Sequence, residues 1–328
     1  MAGRKVVYSL VVPIYNEEAV LPRLLHRLDR LLEQLDAPAE VILVDDGSRD
    51  ISGMMAAARA QDNPAYRYVG LSRNFGHQIA ITAGMERAQG DAIIVMDADL
   101  QDPPEVVLEL IAKWREGFDI VYAQRKAREG ESFLKLATAH AFYRVLRKLS
   151  NVDIPENVGD FRLIDRKVLE AFKRMPERDR FVRGMFGWLG FKQTAVEFHR
   201  DARAAGETKY GWRKMFRLAT DGIIGFSDAP LRAVLWLGAA VSALAMLYGA
   251  FVIGLVMMGS ATVQGWASLA VLISLLAGMN LMTVGVVGLY VGRIHNEVKQ
   301  RPLYIVGREE GFREATAAAE PSGRRLAL

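Results

Sequence analysis

The chain of 328 residues contains no cysteine, which excludes disulfides, thiolate catalysis and cysteine-based metal sites and fits a reducing compartment. Two glycine-rich signatures are also missing. There is no Gly-x-Gly-x-x-Gly and no Gly-x-x-x-x-Gly-Lys-Ser/Thr, so dinucleotide-binding and phosphate-loop readings lose their main support. Histidine is scarce: the five present show no metal-ligand spacing, and no Ser–His–Asp arrangement stands out. The net charge of +4 is modest and no basic run resembles a nucleic-acid-binding tail, so no nucleic-acid partner is expected.

The longest absence is of charge. Sixty consecutive residues, 233–292, contain no Asp, Glu, Lys or Arg. Within them, 233–258 and 266–291 would each extend about 39 Å as a helix, enough to cross a hydrocarbon core of roughly 30 Å. Residues 259–265 supply the turn. A buried core hairpin is the alternative, but two adjacent uncharged segments of this length favour a transmembrane hairpin. Arg232 precedes the first segment, and Arg293, Lys299 and Arg301 follow the second. The positive-inside rule then puts both chain ends in the cytoplasm. Gly285, Gly288 and Gly292 line up small residues that would permit close helix packing and a homo-oligomer. The apolar stretch ending at Pro13-Ile14-Tyr15 is too short to span and no signal-peptide cleavage pattern follows it; it reads as a first strand.

Residues 1–125 alternate strand-like apolar runs (6–12, 41–44, 66–71, 92–96 and 119–123) with amphipathic helical stretches. Leucines 21, 24, 25, 28, 31, 32 and 35 form a helical stripe behind Asn16 as a cap, and further helices are expected over 51–60, 78–88 and 105–116. This alternation implies an α/β fold with a mainly parallel, doubly wound sheet, which binds ligands beyond the carboxyl ends of its strands. Polar groups cluster at those ends: Pro13-Ile14-Tyr15-Asn16-Glu17-Glu18, Asp45-Asp46-Gly47-Ser48, Ser72-Arg73-Asn74-Phe75-Gly76, and Asp97 with Asp99. Asp45 or Asp46 can accept hydrogen bonds from a base or ribose, and Tyr15 can stack on or edge a ring.

The most informative stretch is Asp97-Ala98-Asp99-Leu100-Gln101-Asp102-Pro103-Pro104-Glu105. On an extended segment Asp97, Asp99 and Gln101 share one face. Three such oxygen ligands suit a hard divalent cation that takes its other ligands from a diphosphate. Asp102-Pro103-Pro104-Glu105 reads as a helix start with Asp102 as the cap. Taken alone, Asp-x-Asp fits a solvated acidic turn equally well.

The ordered set Pro-Ile-Tyr-Asn-Glu-Glu, Val-Asp-Asp-Gly-Ser, Asn-Phe-Gly and Asp-Ala-Asp-Leu-Gln-Asp-Pro-Pro-Glu resembles the inverting GT-A glycosyltransferases. The closer resemblance is to the polyprenyl-phosphate glycosyltransferases related to dolichol-phosphate-mannose synthase and to bacterial undecaprenyl-phosphate glucosyltransferases. It continues through Gly159-Asp160-Phe161-Arg162-Leu163, Arg180-Phe181-Val182-Arg183-Gly184, the run from Arg200 to Tyr210 and the two-helix tail, nearly the whole chain. It implies a cytoplasmic GT-A domain over 1–208, a juxtamembrane interfacial helix over 209–230, a transmembrane hairpin over 231–292 and a cytoplasmic tail over 293–328, polar and mobile from 308. Trp212, Met215, Phe216, Ala219, Ile223 and Phe226 share one helical face with Arg213, Lys214 and Arg217 off it, as an interfacial helix requires. Residues 133–149 are a second such candidate, with packing against the domain as the alternative.

The implied reaction is inverting, metal-dependent transfer of one hexose from a nucleotide sugar to a polyprenyl phosphate at the cytoplasmic face of the inner membrane. By this resemblance Asp97, Asp99 and Gln101 hold Mg²⁺ or Mn²⁺ at the donor diphosphate. Pro13, Tyr15, Glu17, Asp45, Asp46 and Gly76, with Asp97 and Asp99, line the nucleotide-sugar pocket; simple strand-end capping is the alternative for these. Guanidinium and ammonium groups suit the acceptor phosphate, with Arg125, Arg128, Ser132, Arg200, Arg203 and Lys209 as candidates. Asp99 and Asp160 are the catalytic candidates. Asp160 matches the family's base or orienting carboxylate, against the alternative that it caps a helix over 165–172. UDP-glucose is the first expected donor; GDP-mannose and a modified amino sugar or pentose are the alternatives. A processive polysaccharide synthase is disfavoured by having only two spans. A non-catalytic sugar-nucleotide sensor or transport scaffold is disfavoured by the intact Asp97, Asp99 and Asp160 and by a hairpin with few polar residues.

Overall fold

The computed structural model describes residues 5–125, 158–178, 180–198, 229–258 and 265–312. Burial along β1 (Tyr8–Ile14) is uninterrupted, which requires cover on both faces and puts the strand inside a sheet. After it come α1 (Leu21–Gln34), β2 (Ala39–Asp45), α2 (Ser52–Asp62), β3 (Tyr66–Leu71), α3 (His77–Arg87), β4 (Ala92–Val95), α4 (Val106–Arg115) and β5 (Ile120–Arg125). Next are β6 (Val158–Asp165), α5 (Arg166–Lys173), α6 (Val182–Trp188) and β7 (Gln193–Phe198). Two long helices, α7 (Ala229–Met257) and α8 (Trp266–Val298), precede a last strand, β8 (Val306–Glu310).

The eight strands form one sheet in the order β7-β5-β6-β4-β1-β2-β3-β8. Strand β1 pairs parallel with β2 and β4, and β2 with β3. Strand β6 runs antiparallel to both β4 and β5, so β5 points the same way as β4. The carboxyl ends of β1 to β5 and the amino end of β6 therefore share one edge. The doubly wound, mainly parallel sheet is as expected. Strands β6, β7 and β8 add to the five expected from the apolar runs.

Strand alternation divides the core. Leu10 and Val12 face Leu24, Leu28 and Leu31 of α1 and Leu110 of α4. Val11, Ile42 and Val44 face Ala80 and Ile81 of α3, together with Phe172 and Phe186. Helix α3 lies very close to the sheet: a Cβ on Gly84 would sit 2.3 Å from Val11 Cγ1. That approach carries the amino end of α3 to the polar edge.

Several local expectations are corrected. Helix α1 is capped at Val20, and Asn16 instead adopts φ 54° in the preceding turn. Helix α4 is capped at Glu105 rather than Asp102. Strand β4 ends at Val95, and Leu100 has φ 57°, so 97–101 is turned and does not alternate as a strand. Residues 308–310, read as the start of a mobile tail, belong to β8, which pairs antiparallel with β3. The interfacial-helix candidates 133–149 and 210–226 lie outside the described residues.

Windows Leu231–Tyr248 and Leu275–Val298 are long and apolar enough to cross a membrane, and neither is buried within the chain. Among the described residues, apart from the helix's own neighbouring backbone, nothing lies within 4 Å of a Cβ placed on Gly285, Gly288 or Gly292.

At the edge opposite the polar loops, Glu40 is 2% exposed and accepts from Ser9 Oγ at 2.5 Å and from Gln89 N at 2.7 Å. Its second oxygen meets Arg67 Nε at 2.6 Å. Replacing Glu40 by alanine leaves a largely buried guanidinium without its anion, a loss on the order of 3 kcal/mol. Glu40→Ala should lower the melting temperature of the purified protein well below that of the exposed-pair variant Lys113→Ala.

Candidate active site

The loops after β1 and β2 are laced together. Asn16 N donates to Ser48 Oγ at 3.0 Å, Arg49 N donates to Asn16 Oδ1 at 2.8 Å, and Glu17 N donates to Ser52 Oγ at 2.8 Å. Asp45 accepts from Ser48 N at 2.9 Å and from Tyr68 Oη at 3.1 Å. Asp46 reaches across to the next loop and accepts from Phe75 N at 2.7 Å and Gly76 N at 3.0 Å. Burial raises the Asp46 pKa, and those two N–H groups oppose the rise. Gly47, at φ 69°, has Arg73 C only 2.5 Å from where a Cβ would stand. Only glycine permits that approach.

The loop after β3 ends at Gly76, and α3 then presents His77 and Gln78. Register supplies their partner. Val95 of β4 pairs with Arg162 of β6, so Asp97 and Asp160 each lie two residues beyond that pair. His77 Nε2 stands 3.3 Å from both Asp97 Oδ1 and Asp160 Oδ2. Burial alone would lower the His77 pKa, but the hydrogen bonds and charges of Asp160 and Asp97 lift it to about 10.

Asp160 is 4% exposed. Arg183 grips it with two bonds, Nε to Oδ1 at 2.8 Å and Nη2 to Oδ2 at 3.0 Å. Gln78 Nε2 adds a third at 3.2 Å, and its Oε1 accepts from Val182 N at 3.1 Å at the start of α6. Burial would push the carboxyl up, yet His77, Arg183 and Arg162 hold it well below the ordinary carboxylate range. Arg162, itself buried, is pushed down to about 10 by that burial and rests over the Phe186 ring. Asp160 caps no helix: Asp165 caps α5, accepting from Lys167 N at 2.9 Å.

The turn after β4 offers oxygens to a cation. Gln101 Oε1 is buried without a hydrogen-bond partner, and Asp97 Oδ1 has none apart from its contact with His77. Asp99 Oδ1 accepts from Gln101 N at 3.0 Å, which fixes the turn. This donor set fits a hard divalent ion. Among the described residues no three His, Asp or Glu side chains are gathered into a ligand cluster, so further ligands would come from a substrate.

Pro13 and Asp45 thus stand at the carboxyl ends of β1 and β2, and Tyr15, Glu17, Asp46 and Gly76 lie in the three adjoining loops. Asp97 joins Asp160 through His77, and Asp99 and Gln101 share the intervening turn. Arg125 ends β5 on the same edge. Arg128, Ser132, Arg200, Arg203 and Lys209 lie outside the described residues. His77 and Gln78 were not among the residues expected from sequence, although they directly follow the Asn-Phe-Gly turn, and Arg162 and Arg183 entered only as parts of motifs.

The profile of Glycosyl transferase family 2 matches residues 9–172. An uncharacterized glycosyltransferase of Bacillus subtilis, YkcC, is 49% identical over 94% of this chain and 96% of its own. A prophage bactoprenol glucosyl transferase homolog of Escherichia coli is 43% identical over 92% of this chain and 98% of its own. The bactoprenol glucosyl transferase of Shigella phage SfII is 41% identical over 91% and 96%.

The acid limb of stability tests the Asp160 cluster. Its folded pKa lies below the unfolded value of about 4, so its contribution is complete above that value and is lost as pH falls through the folded pKa. Asp160→Asn should be less stable than wild type by a nearly constant margin between about pH 5 and 6, below the range in which His77 sheds its proton. The margin should shrink as pH falls below about 4, as followed by thermal melting across pH.

Proposed function

The chain belongs to glycosyl transferase family 2, and on that premise we propose that it transfers one hexose from a nucleotide sugar to a polyprenyl phosphate. The product is a polyprenyl-phosphate sugar. One observation supports the lipid acceptor: the chain leaving the second apolar helix bonds to the polar edge of the sheet. Glu297, near the end of α8, accepts from Arg178 N at 2.8 Å, and Ile305, where the chain enters β8, accepts from Ser72 N at 2.9 Å at that same edge. An acceptor lipid in a membrane crossed by those helices would bring its phosphate to this edge. The bactoprenol glucosyl transferases, similar over more than nine-tenths of this chain, support the same acceptor class and glucose as the sugar, for which we take UDP-glucose as the first donor.

Asp97, Asp99 and Gln101 would hold Mg²⁺ or Mn²⁺. Bound there, the ion neutralises charge building on the departing nucleoside diphosphate. Tyr15, 41% exposed, offers a ring face at the mouth of the loops that carry Pro13, Glu17, Asp45, Asp46 and Gly76. The acceptor phosphate, with a second pKa near 6, arrives largely ionised and needs orientation more than deprotonation. Asp160, kept ionised by Arg183 and His77, is a weak base at neutral pH. Its role is to orient the sugar and acceptor. Arg125 holds the acceptor phosphate, joined by Arg128, Ser132, Arg200, Arg203 and Lys209. A phosphate oxygen attacks the anomeric carbon as its bond to the diphosphate breaks, and in-line displacement inverts the configuration. For the domain layout we keep the sequence expectation as part of this proposal: a GT-A domain to residue 208, an interfacial segment to 230, and a hairpin to 292, with β8 returning to the sheet. The Arg and Lys that flank the hairpin favour both termini and the site on the cytoplasmic face of the inner membrane.

The test offers labelled UDP-glucose, GDP-mannose and amino-sugar or pentose nucleotides to purified protein with polyprenyl phosphate and Mg²⁺ or Mn²⁺. A chloroform-soluble product from UDP-glucose is expected, and EDTA should abolish it. Asp99→Ala should cut turnover by roughly 100-fold or more, since the ion stabilises the transition state by several kcal/mol. Undiminished turnover in EDTA and in Asp99→Ala would sink the metal assignment. Bound nucleotide with no transfer from any donor would favour a sensor.

A further inference from the structure

Beside Arg162 of β6 itself, three side chains hold Asp160 and come from two places: His77 and Gln78 from the amino end of α3, Arg183 from α6. Both are tied to the stretch of chain leaving the second apolar helix. Glu297 accepts from Arg178 N at 2.8 Å, four residues before Val182, whose N–H is held by Gln78. Tyr304 sits against the other end of α3. It accepts from Arg87 Nη1 at 2.8 Å and donates to Glu86 Oε2 at 2.5 Å. Arg87 Nε also donates to Glu309 Oε1 at 2.5 Å, and β8 pairs with β3 just before the loop that leads to His77.

We propose that Glu297 and Tyr304 are positioning residues for sugar transfer: the chain emerging from the membrane helix sets the two elements that aim Asp160. The inference rests on the proposed transferase reading. Neither residue contacts Asp160. Glu297 acts by holding Arg178 N, ahead of the Val182 N–H that Gln78 accepts, and Tyr304 acts by fixing α3 along its axis. A side chain that only stabilised the fold would leave turnover per folded molecule unchanged. A positioning role lowers kcat, and for Glu297 it leaves the donor KM in place, because Arg178 lies outside the loops that hold the nucleotide.

The experiment uses the full chain in lipid nanodiscs with UDP-glucose and polyprenyl phosphate, and measures kcat, both KM values and the melting temperature. Glu297→Ala should lower kcat about fivefold, the equivalent of one ordinary hydrogen bond, with the donor KM unchanged. Glu297→Gln keeps the accepting Oε1 and should restore the wild-type rate. Tyr304→Phe keeps the ring and should lose activity by a similar factor. In a Gln78→Ala background, Glu297→Ala should add little further loss, since the two act through one link. Losses that multiply in the double variant would overturn the proposal. So would full activity in Glu297→Ala and Tyr304→Phe, or failure of Glu297→Gln to restore turnover. Wild-type protein that makes no lipid-linked product from any donor would instead sink the transferase reading, and this inference with it.

Discussion

A carboxylate removed from water stays ionised only where donors and cations replace its lost hydration, and Asp160 depends on that replacement. Arg183 supplies two hydrogen bonds, Gln78 a third, and His77 a shared proton that also reaches Asp97. These groups come from separate stretches of chain, so the anion can be buried only after β4, β6, α3 and α6 have assembled. The geometry of the site and the integrity of the fold at this edge are therefore the same requirement. Removing one partner leaves the others as uncompensated charge, which is why such a cluster is rigid.

The donor side is built differently. The loops of β1, β2 and β3 are joined mostly by backbone N–H groups bonded to Asn16, Ser48, Ser52, Asp45 and Asp46. The two aspartates expected to face a nucleotide spend hydrogen bonds on their own loops, and each carboxylate oxygen retains further accepting capacity. A pocket organised in this way is shaped before its ligand arrives and loses little conformational freedom on binding.

How much could be read from the sequence follows from the range of each signal. The parallel strands announced themselves as short apolar runs, because two-sided burial leaves no alternative composition. The hairpin was legible because a chain folded in water rarely runs for sixty residues without a charge to keep its surface solvated. Asp97, Asp99 and Gln101 were singled out by their spacing and by motif resemblance, and Asp160 by resemblance alone. The partners of Asp160 were not, because they depend on register between β4 and β6 and on the depth at which α3 sits over Gly84. Local rules also misled: Asn16 looked like a helix cap and Asp102 like another, but both lie in turns whose shape tertiary contacts decide. Strand β8 was hidden by its composition, since Arg308, Glu309 and Glu310 read as solvated tail.

That charged strand also bears on how the protein is made. Without β8, the outer side of β3 is a bare sheet edge of the kind that recruits other chains. Residues 306–310 are encoded after both apolar helices, so during synthesis the edge stays open until the hairpin has left the ribosome. The sheet is sealed last, by chain that has already passed through the apolar helices, which makes correct disposal of those helices a condition for a non-sticky catalytic domain.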